Sequence, residues 1–297
     1  MKRRTFLTSA LLGSGAAVLS PAARATATPG TLTAQTTEGP YYLALDLMRA
    51  DITEGLTGIP LDVVFTVLDP DGRPCAGSLV DIWHCNAQGA YSGFSQPGAP
   101  GMKGKTFLRG TQTAGADGTV VFHSLYPGWY RGRTTHIHFK VRRGSLTNVT
   151  SQFFLPDTLS EFLYTQVSAY KRADLRDTLN SGDGIAIEAG PTVEGNVRES
   201  GGRYVASLTV RVDPAANPPI DRPPAPGEGP PGMSGHPDNR PPPLGDGKAG
   251  PPDGPPGGPG GPPSMTPLNG DDRIAALLPD AKRSASHFGP PPGAPNA

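Results

Sequence analysis

The stretch LDVVFTVL, from Leu61 to Leu68, decides the fold class, because apolar side chains occupy every second position. Successive side chains of a β-strand point to opposite faces, so this spacing predicts a strand with one face buried in a core. The turn-forming sequence Asp69-Pro70-Asp71-Gly72 follows directly and predicts a hairpin. The predicted core face consists of Leu61, Val63, Phe65 and Val67.

Similar short strands, separated by turn residues, continue along the chain. They are predicted at Val80–His84, Phe107–Thr111, Thr119–His123, Thr134–Arg142, Ile185–Glu188 and Arg203–Val212. One helix is predicted to begin at Pro156, with Asp157 as its cap and Leu159, Phe162, Leu163 and Val167 as its apolar stripe. The segment Arg49–Ile52 is expected to lie as an arm over the core. The pattern predicts a mainly β protein: a β-sandwich of two sheets with long loops and one or two short helices.

The two ends of the chain differ from this middle part. Residues 1–25 contain Arg3-Arg4, an apolar run and the small-x-small sequence Ala23-Arg24-Ala25. Together these predict a twin-arginine signal peptide and an exported, periplasmic or extracellular protein. Residues 214–297 hold 25 of the 36 prolines and 15 of the 40 glycines, which predicts a disordered tail. Residues 26–213 are therefore the predicted folded domain.

The charge balance argues against nucleic-acid binding. The chain has 26 basic and 26 acidic residues, and removing four basic residues with the leader would leave 22 against 26, a net charge of −4. A nucleic-acid-binding surface needs a basic excess, so none is expected. The apolar run of the leader, Leu7 to Leu19, is shorter than the ~20 residues of a membrane span, so no span is expected in the mature protein.

The two cysteines, Cys75 and Cys85, are predicted to be free thiols. Export would permit a disulfide. However, Ser78 to Cys85 is expected to be extended, which separates its ends by roughly 23 Å. The Cα atoms of a disulfide lie within about 7 Å of each other.

His136 and His138 are the strongest candidates for metal ligands among the six histidines. They stand two apart on a predicted strand, so both side chains leave the same face, opposite Ile137 and Phe139. Two imidazoles on one face can chelate one metal ion. Two surface histidines on a half-exposed strand would show the same spacing, so both interpretations stay open. The remaining strand histidines, His84 and His123, are expected to be structural.

Further ligands would have to come from outside this strand. A cupin would place a glutamate about four residues after its His-x-His pair, where this chain has Lys140–Arg143. A structural zinc site needs more cysteines or histidines than the chain offers. Tyr91, Tyr126 and Tyr130 lie in neighbouring loops instead. A phenolate is a hard anionic donor that favours Fe(III), although core packing is the ordinary role of any single tyrosine.

The order of these groups resembles the intradiol ring-cleavage dioxygenases, over about Thr37 to Asp213. The resemblance rests on Gly-x-Tyr-Ser-x-Phe at Tyr91, Pro-Gly-x-Tyr at Tyr130, and Arg133-x-x-His136-x-His138. The segments Thr37–Tyr41 and Asp81–His84 are similar to the exported, single-domain branch of that family. The resemblance implies a β-sandwich catalytic domain with long active-site loops.

Carried over residue by residue, the resemblance implies an Fe(III) site with four protein ligands: Tyr91, Tyr130, His136 and His138. Tyr126 is the alternative second phenolate. Tyr130 is preferred because the family's ligand follows Pro-Gly and lies closer to the arginine. The resemblance also implies that Tyr130 takes a proton from the substrate, that Arg133 stabilises negative charge on the ring, and that Gln152 hydrogen-bonds a ligand or the intermediate.

The implied activity is cleavage of a catechol-type ring by O2 between its two hydroxyl-bearing carbons, giving a muconate-type diacid. Catechol-type small molecules and O2 are the implied partners. An oligomer is possible but not implied, because the family's N-terminal helical dimerisation segment is not present in the sequence. Thr134-Thr135 also replaces the family's common Pro-Ala. The competing class is a non-catalytic transthyretin-like binding module, which shares the hairpin but lacks the tyrosine and histidine set. A zinc or copper hydrolase would want a carboxylate, and none occurs between Trp129 and Phe153.

Overall fold

The computed structural model describes residues 30–96, 99 and 101–223. The predicted signal peptide and residues 224–297 of the predicted tail lie outside the described residues. Within the described part, the strands are β1 Pro60–Leu68, β2 Leu79–Trp83, β3 Arg109–Thr113, β4 Thr119–Leu125, β5 His136–Arg143, β6 Leu146–Phe154, β7 Asn196–Ser200 and β8 Arg203–Arg211. The helices are α1 Asp157–Gln166 and α2 Gly184–Ala189, with short 3-10 turns at Asn180–Gly182 and Gly190–Val193.

The strands form two four-stranded sheets, in the orders β4-β1-β8-β7 and β3-β2-β5-β6. Strand β1 pairs parallel with β8, and the other strand pairs are antiparallel. The sheets face each other through apolar side chains: the Phe65 ring lies 4.9 Å from that of Phe139 and 6.2 Å from that of Phe153. The predicted β-sandwich is thus confirmed.

The core faces follow from the two-residue period. Leu61, Val63, Phe65 and Val67 are fully buried. Strand β5 differs, because its histidine-bearing face is buried as well as its core face. The N-terminal arm, residues 33–52, covers that second face: Thr36 donates its backbone N–H to Thr150 O at 2.9 Å. The predicted arm position is confirmed at Ile52, which is fully buried.

Two local predictions around the helices are wrong. The predicted strand Ile185–Glu188 belongs to helix α2. The Asp183 carboxylate accepts hydrogen bonds from the backbone N–H groups at the start of α2, which favours the helix. Asp157 does not cap α1, whose N-cap is Pro156. The Asp157 carboxylate instead pairs with the Arg176 guanidinium at 2.7 Å, because this guanidinium is almost completely buried and needs a counter-charge.

Strands β6 and β7 are not predicted from the sequence. β6 is rich in Thr, Asn, Ser and Gln, a composition typical of exposed loops, yet most of it is buried. Two of its polar side chains bond the N-terminal arm: Ser151 Oγ donates to Ala34 O at 2.7 Å, and Gln152 Nε2 donates to Thr37 O at 3.0 Å. Burial of polar groups is tolerated when they are hydrogen-bonded.

Both cysteines are buried free thiols, as predicted. Burial raises the pKa of the Cys85 thiol to about 12. In the described part of the chain, no helix has both the length and the apolar character needed to cross a membrane.

Candidate metal centre

The two histidines of the His-x-His pair present their Nε2 atoms to each other, 3.1 Å apart, at the start of β5. The Nδ1 atom of His136 lies 2.7 Å from Thr134 O. A carbonyl only accepts hydrogen bonds, so Nδ1 carries the proton and Nε2 keeps a free lone pair. Burial, reinforced by the nearby Arg133 charge, lowers the pKa of His136 to about 3. A neutral imidazole whose nitrogen lone pair is available is the form of histidine that binds metal ions.

Two tyrosines from separate loops meet the histidines. Tyr130, in the β4–β5 loop, places its hydroxyl 3.0 Å from His136 Nε2. Tyr91, in the β2–β3 loop, packs its ring edge-on to Tyr130 at 5.7 Å between centroids. Its buried hydroxyl has no hydrogen-bond partner of normal geometry among the described residues. Burial, together with the Tyr130 phenol, raises the pKa of Tyr91 well above its usual range.

This donor set fits a single hard metal ion. Ligands that each lie about 2 Å from one ion are about 3 Å from one another, which matches the measured 3.0 and 3.1 Å separations. A buried hydroxyl without a partner is costly unless it has a ligand to bind. No cluster of three or more His, Cys, Asp or Glu occurs among the described residues, so the phenols are needed to complete a site. Two phenolates favour a trivalent ion such as Fe(III).

The structure separates the rival Tyr126 from this cluster. Its hydroxyl lies 2.8 Å from Ser160 Oγ of helix α1, and its ring belongs to the apolar core. Burial raises its pKa above the usual range, as expected of a neutral core phenol. The geometry therefore favours Tyr130 over Tyr126 as the second phenol beside the histidines.

Arg133 and Gln152 lie side by side at the edge of the cluster. Gln152 is fully buried on β6, paired with His138 in the strand register, and its Oε1 accepts a hydrogen bond from Arg133. Arg133 Nε also donates to Asp183 Oδ2 at 2.8 Å. The same Asp183 oxygen accepts from Thr134 N at 2.9 Å. One carboxylate thus fixes both the guanidinium and the backbone that leads into His136.

Close backbone packing sets the position of the Tyr130 loop. Gly128, in the sequence Pro127-Gly128-Trp129-Tyr130, has no room for a side chain, because a Cβ would collide with the carbonyls of Asn86 and Ala87. The glycine thus lets the β4–β5 loop pack directly on the start of the β2–β3 loop. The two phenols are brought together by this contact.

Two charged residues near the cluster were not singled out from the sequence. Asp183 could have been found as a helix cap, because an Asp precedes an apolar helical turn. No sequence pattern points to Arg109 as part of the site. It is 3 % exposed, and its guanidinium donates to neutral oxygens: Ser92 Oγ, Ser92 O and Tyr41 O, at 2.8, 2.7 and 2.7 Å. Burial lowers its pKa to about 10. Arg109 ties the Tyr91 loop to the N-terminal arm.

The other two strand histidines lie outside the cluster. His84 is buried, and its ring nitrogens lie 2.7 Å from Ser124 Oγ and 2.8 Å from Cys85 O. Burial lowers its pKa to about 4, which fits a neutral histidine with a structural role. His123 is half exposed and lies 2.8 Å from Asp62 Oδ1 on the neighbouring strand.

Fold and candidate site together indicate a class: β-sandwich proteins with a buried cluster of tyrosines and histidines suited to binding a metal ion. A family model described as a dioxygenase matches residues 37–181. Catechol 1,2-dioxygenase 1 of Acinetobacter lwoffii is 34% identical over 144 residues, which cover 41% of this chain and 45% of that protein. An intradiol ring-cleavage dioxygenase of Tetranychus urticae has a similar structure, with a TM-score of 0.59 and 28% identity, over 64% of this chain and 98% of that one.

The chain is thus similar, in sequence and in structure, to the intradiol ring-cleavage dioxygenases. It spans about half the length of the first curated relatives that it matches.

Proposed function

We propose that this protein is an exported, iron-dependent dioxygenase. It cleaves catechol-type rings with O2 between the two hydroxyl-bearing carbons and releases a muconate-type diacid. The names of the relatives, catechol and chlorocatechol 1,2-dioxygenases among them, support this substrate class. The observation that carries the proposal is that the Tyr130 hydroxyl and the His138 Nε2 atom lie 3.0 and 3.1 Å, respectively, from His136 Nε2, beside Arg133.

Four side chains would hold the metal: Tyr91, Tyr130, His136 and His138. Ferric iron bound there would hold a catechol through its two adjacent oxygens and make its ring reactive toward O2. The remaining steps belong to the protein. Burial raises the pKa of Tyr130 to about 12, above the ~10 of an ordinary phenol. Without a metal this phenol therefore keeps its proton; held as a phenolate ligand, the Tyr130 oxygen would be the base that takes a proton from a catechol hydroxyl.

Arg133 and the aromatic walls complete the site. The Arg133 guanidinium, held by Asp183 and Gln152, supplies fixed positive charge where the ring becomes negative during the reaction. Tyr41 of the arm stacks on Tyr91 with 4.4 Å between ring centroids. These rings give an aromatic substrate an apolar surface and exclude water from the charged groups.

A visible absorption spectrum with an iron assay on the same full-length sample tests the proposed function. We expect a coloured protein with about one iron per chain, because phenolate bound to Fe(III) absorbs visible light by charge transfer. Adding catechol without O2 is expected to shift the band. Resorcinol is the matched control: its hydroxyls are not adjacent, and it is expected to leave the band unchanged.

A colourless protein that takes up no iron after ferric or ferrous reconstitution would contradict this function. The non-catalytic binding module would then become the better interpretation. An equal response to catechol and resorcinol would contradict chelation through adjacent oxygens.

The export proposal rests on the leader sequence, with Arg3-Arg4, the apolar run and Ala23-Arg24-Ala25. We expect the protein recovered outside the cytoplasm to begin just after Ala25 when its N-terminus is sequenced. Changing Arg3 and Arg4 to lysine should keep it in the cytoplasm, because twin-arginine signals are recognised through this pair. Unchanged export of that variant would contradict the route.

A further inference from the structure

A buried charged cluster ties the N-terminal arm to two distant parts of the chain. Glu38 is fully buried, and its carboxylate accepts hydrogen bonds from Lys140 on β5 and from Arg222 after β8. Lys140 is also buried and lies 3.7 Å from the centre of the Tyr42 ring. A buried carboxylate is stable only when it is paired and hydrogen-bonded. The position of Glu38 therefore depends on both cations.

Residues 213–222, which we name the C-terminal strap, run from the end of the sandwich back to the arm. The strap begins on β6, where Asn148 Nδ2 donates to the carbonyls of Asp213, Pro214 and Ala216 at 3.3, 3.0 and 3.1 Å. It ends on the arm, where Asp221 O accepts from Glu38 N at 2.8 Å. Pro218 and Pro219 stiffen the chain between these attachments, because proline fixes φ.

The arm residues held by the strap lie directly over the candidate metal centre. Asp221 O also accepts from Thr37 Oγ1 at 3.0 Å, and Thr37 O accepts from Gln152 Nε2 at 3.0 Å. Gln152 in turn accepts from Arg133. Gly39 lies so close to His138 that a Cβ would be 3.1 Å from its Cε1 atom. Residues 37–39 are thus the layer between the strap and the site.

We propose that Arg222 is a positioning residue for the active site. It holds Glu38, and through residues 37–39 it fixes Gln152 and the Arg133 guanidinium, without itself touching substrate. The proposal rests on the proposed function. Arg222 is 55 % exposed at its side chain and lies in a Pro-rich segment after β8, where composition alone predicts a disordered tail. In this proposal, the start of the predicted tail positions the arm over the site.

Hydrogen exchange of the full-length protein tests the placement of the arm. We compare the wild type with Arg222→Gln, in which Lys140 still pairs the Glu38 charge and the fold is retained. The amides of residues 36–39 are expected to exchange about tenfold faster in this variant, because a charged hydrogen bond to a buried acceptor is lost. Arg222→Lys should restore most of the protection. Arg203→Gln is the matched control, since it removes a comparably exposed arginine from an ion pair with Asp62.

Steady-state kinetics on the same proteins test the consequence for catalysis. Arg222→Gln is expected to lower kcat for catechol about tenfold, as for other groups that orient a site indirectly, with KM and iron content unchanged. Arg203→Gln should leave kcat unchanged. A purely structural role would lower the unfolding temperature of both variants and alter neither kcat nor exchange at residues 36–39.

Three results would overturn the positioning role: unchanged exchange at residues 36–39 in Arg222→Gln, acceleration spread evenly over the chain, or local acceleration with unchanged kcat. A wild type that binds no iron and cleaves no catechol would instead contradict the proposed function. The exchange result would still decide whether Arg222 holds the arm.

Discussion

Replacing Tyr130 by phenylalanine is expected to lower kcat for catechol by about 10²–10⁴-fold, the range of a positioned general base. The variant loses the hydroxyl that lies 3.0 Å from His136 Nε2, and with it one of the proposed phenolate donors. The visible band of the resting protein should therefore shift as well. Steady-state kinetics and an absorption spectrum on one preparation measure both effects.

Tyr126→Phe is the matched control for this prediction. The Tyr126 hydroxyl bonds Ser160 Oγ at 2.8 Å, and Ser160 Oγ also donates to Pro156 O, so the serine keeps a partner in the variant. We expect a loss of about 1 kcal/mol in the free energy of unfolding, with iron content and kcat nearly unchanged. Equal losses of turnover in the two variants, or a loss only in Tyr126→Phe, would contradict the ligand assignment.

Arg133→Gln is expected to lower kcat by about 10²–10³-fold, the cost of removing one preorganised charge-stabilising donor. Iron content and the resting spectrum should stay unchanged, because Arg133 bonds Asp183 and Gln152 rather than the candidate ligands. Arg133→Lys should recover little of the lost kcat, because an ammonium group cannot make the hydrogen bonds to both Asp183 and Gln152 that the planar guanidinium makes. Kinetics, an iron assay and a spectrum on each variant measure these outcomes.

Arg131→Gln controls for loss of positive charge in the same loop. The Arg131 side chain is 74 % exposed and pairs with Asp174, which is 63 % exposed. An exposed ion pair of this kind contributes little, so kcat and stability should change hardly at all. If Arg131→Gln lost as much activity as Arg133→Gln, general charge rather than a fixed guanidinium would be responsible.

The sandwich and the shared face of the two histidines were predictable because both leave a local trace in the sequence. The two-residue period of β1 specifies a buried face, and His136 and His138 are bound to share a face once their segment is a strand. The choice of Tyr130 over Tyr126 came from the family resemblance. The structure favours it because the Tyr130 hydroxyl lies 3.0 Å from His136 Nε2, whereas the Tyr126 hydroxyl lies 2.8 Å from Ser160 Oγ. Neither distance can be predicted from a local sequence pattern.

What the sequence could not predict depends on partners far away in the chain. Burial of the polar strand β6 requires the arm that covers it. The ion pair between Arg133 and Asp183 joins two segments 50 residues apart, and no local sequence pattern relates them. The helix α2 was mistaken for a strand because Ile185 and Ile187 alternate with small or charged residues. Ile187 is in fact 61 % exposed, so the alternation does not mark a buried face.

The parallel pairing of β1 with β8 has a consequence for how the protein folds. Strand β1 occupies an interior position between β4 and β8, yet β8 is the last of the described strands to be synthesised. One long edge of β1, rich in valine, therefore stays open while more than a hundred residues emerge from the ribosome. Such non-local topologies fold slowly, on the order of milliseconds to seconds, and open edges of this kind promote aggregation. The nascent chain is thus prone to aggregate until β8 has been synthesised and pairs with β1.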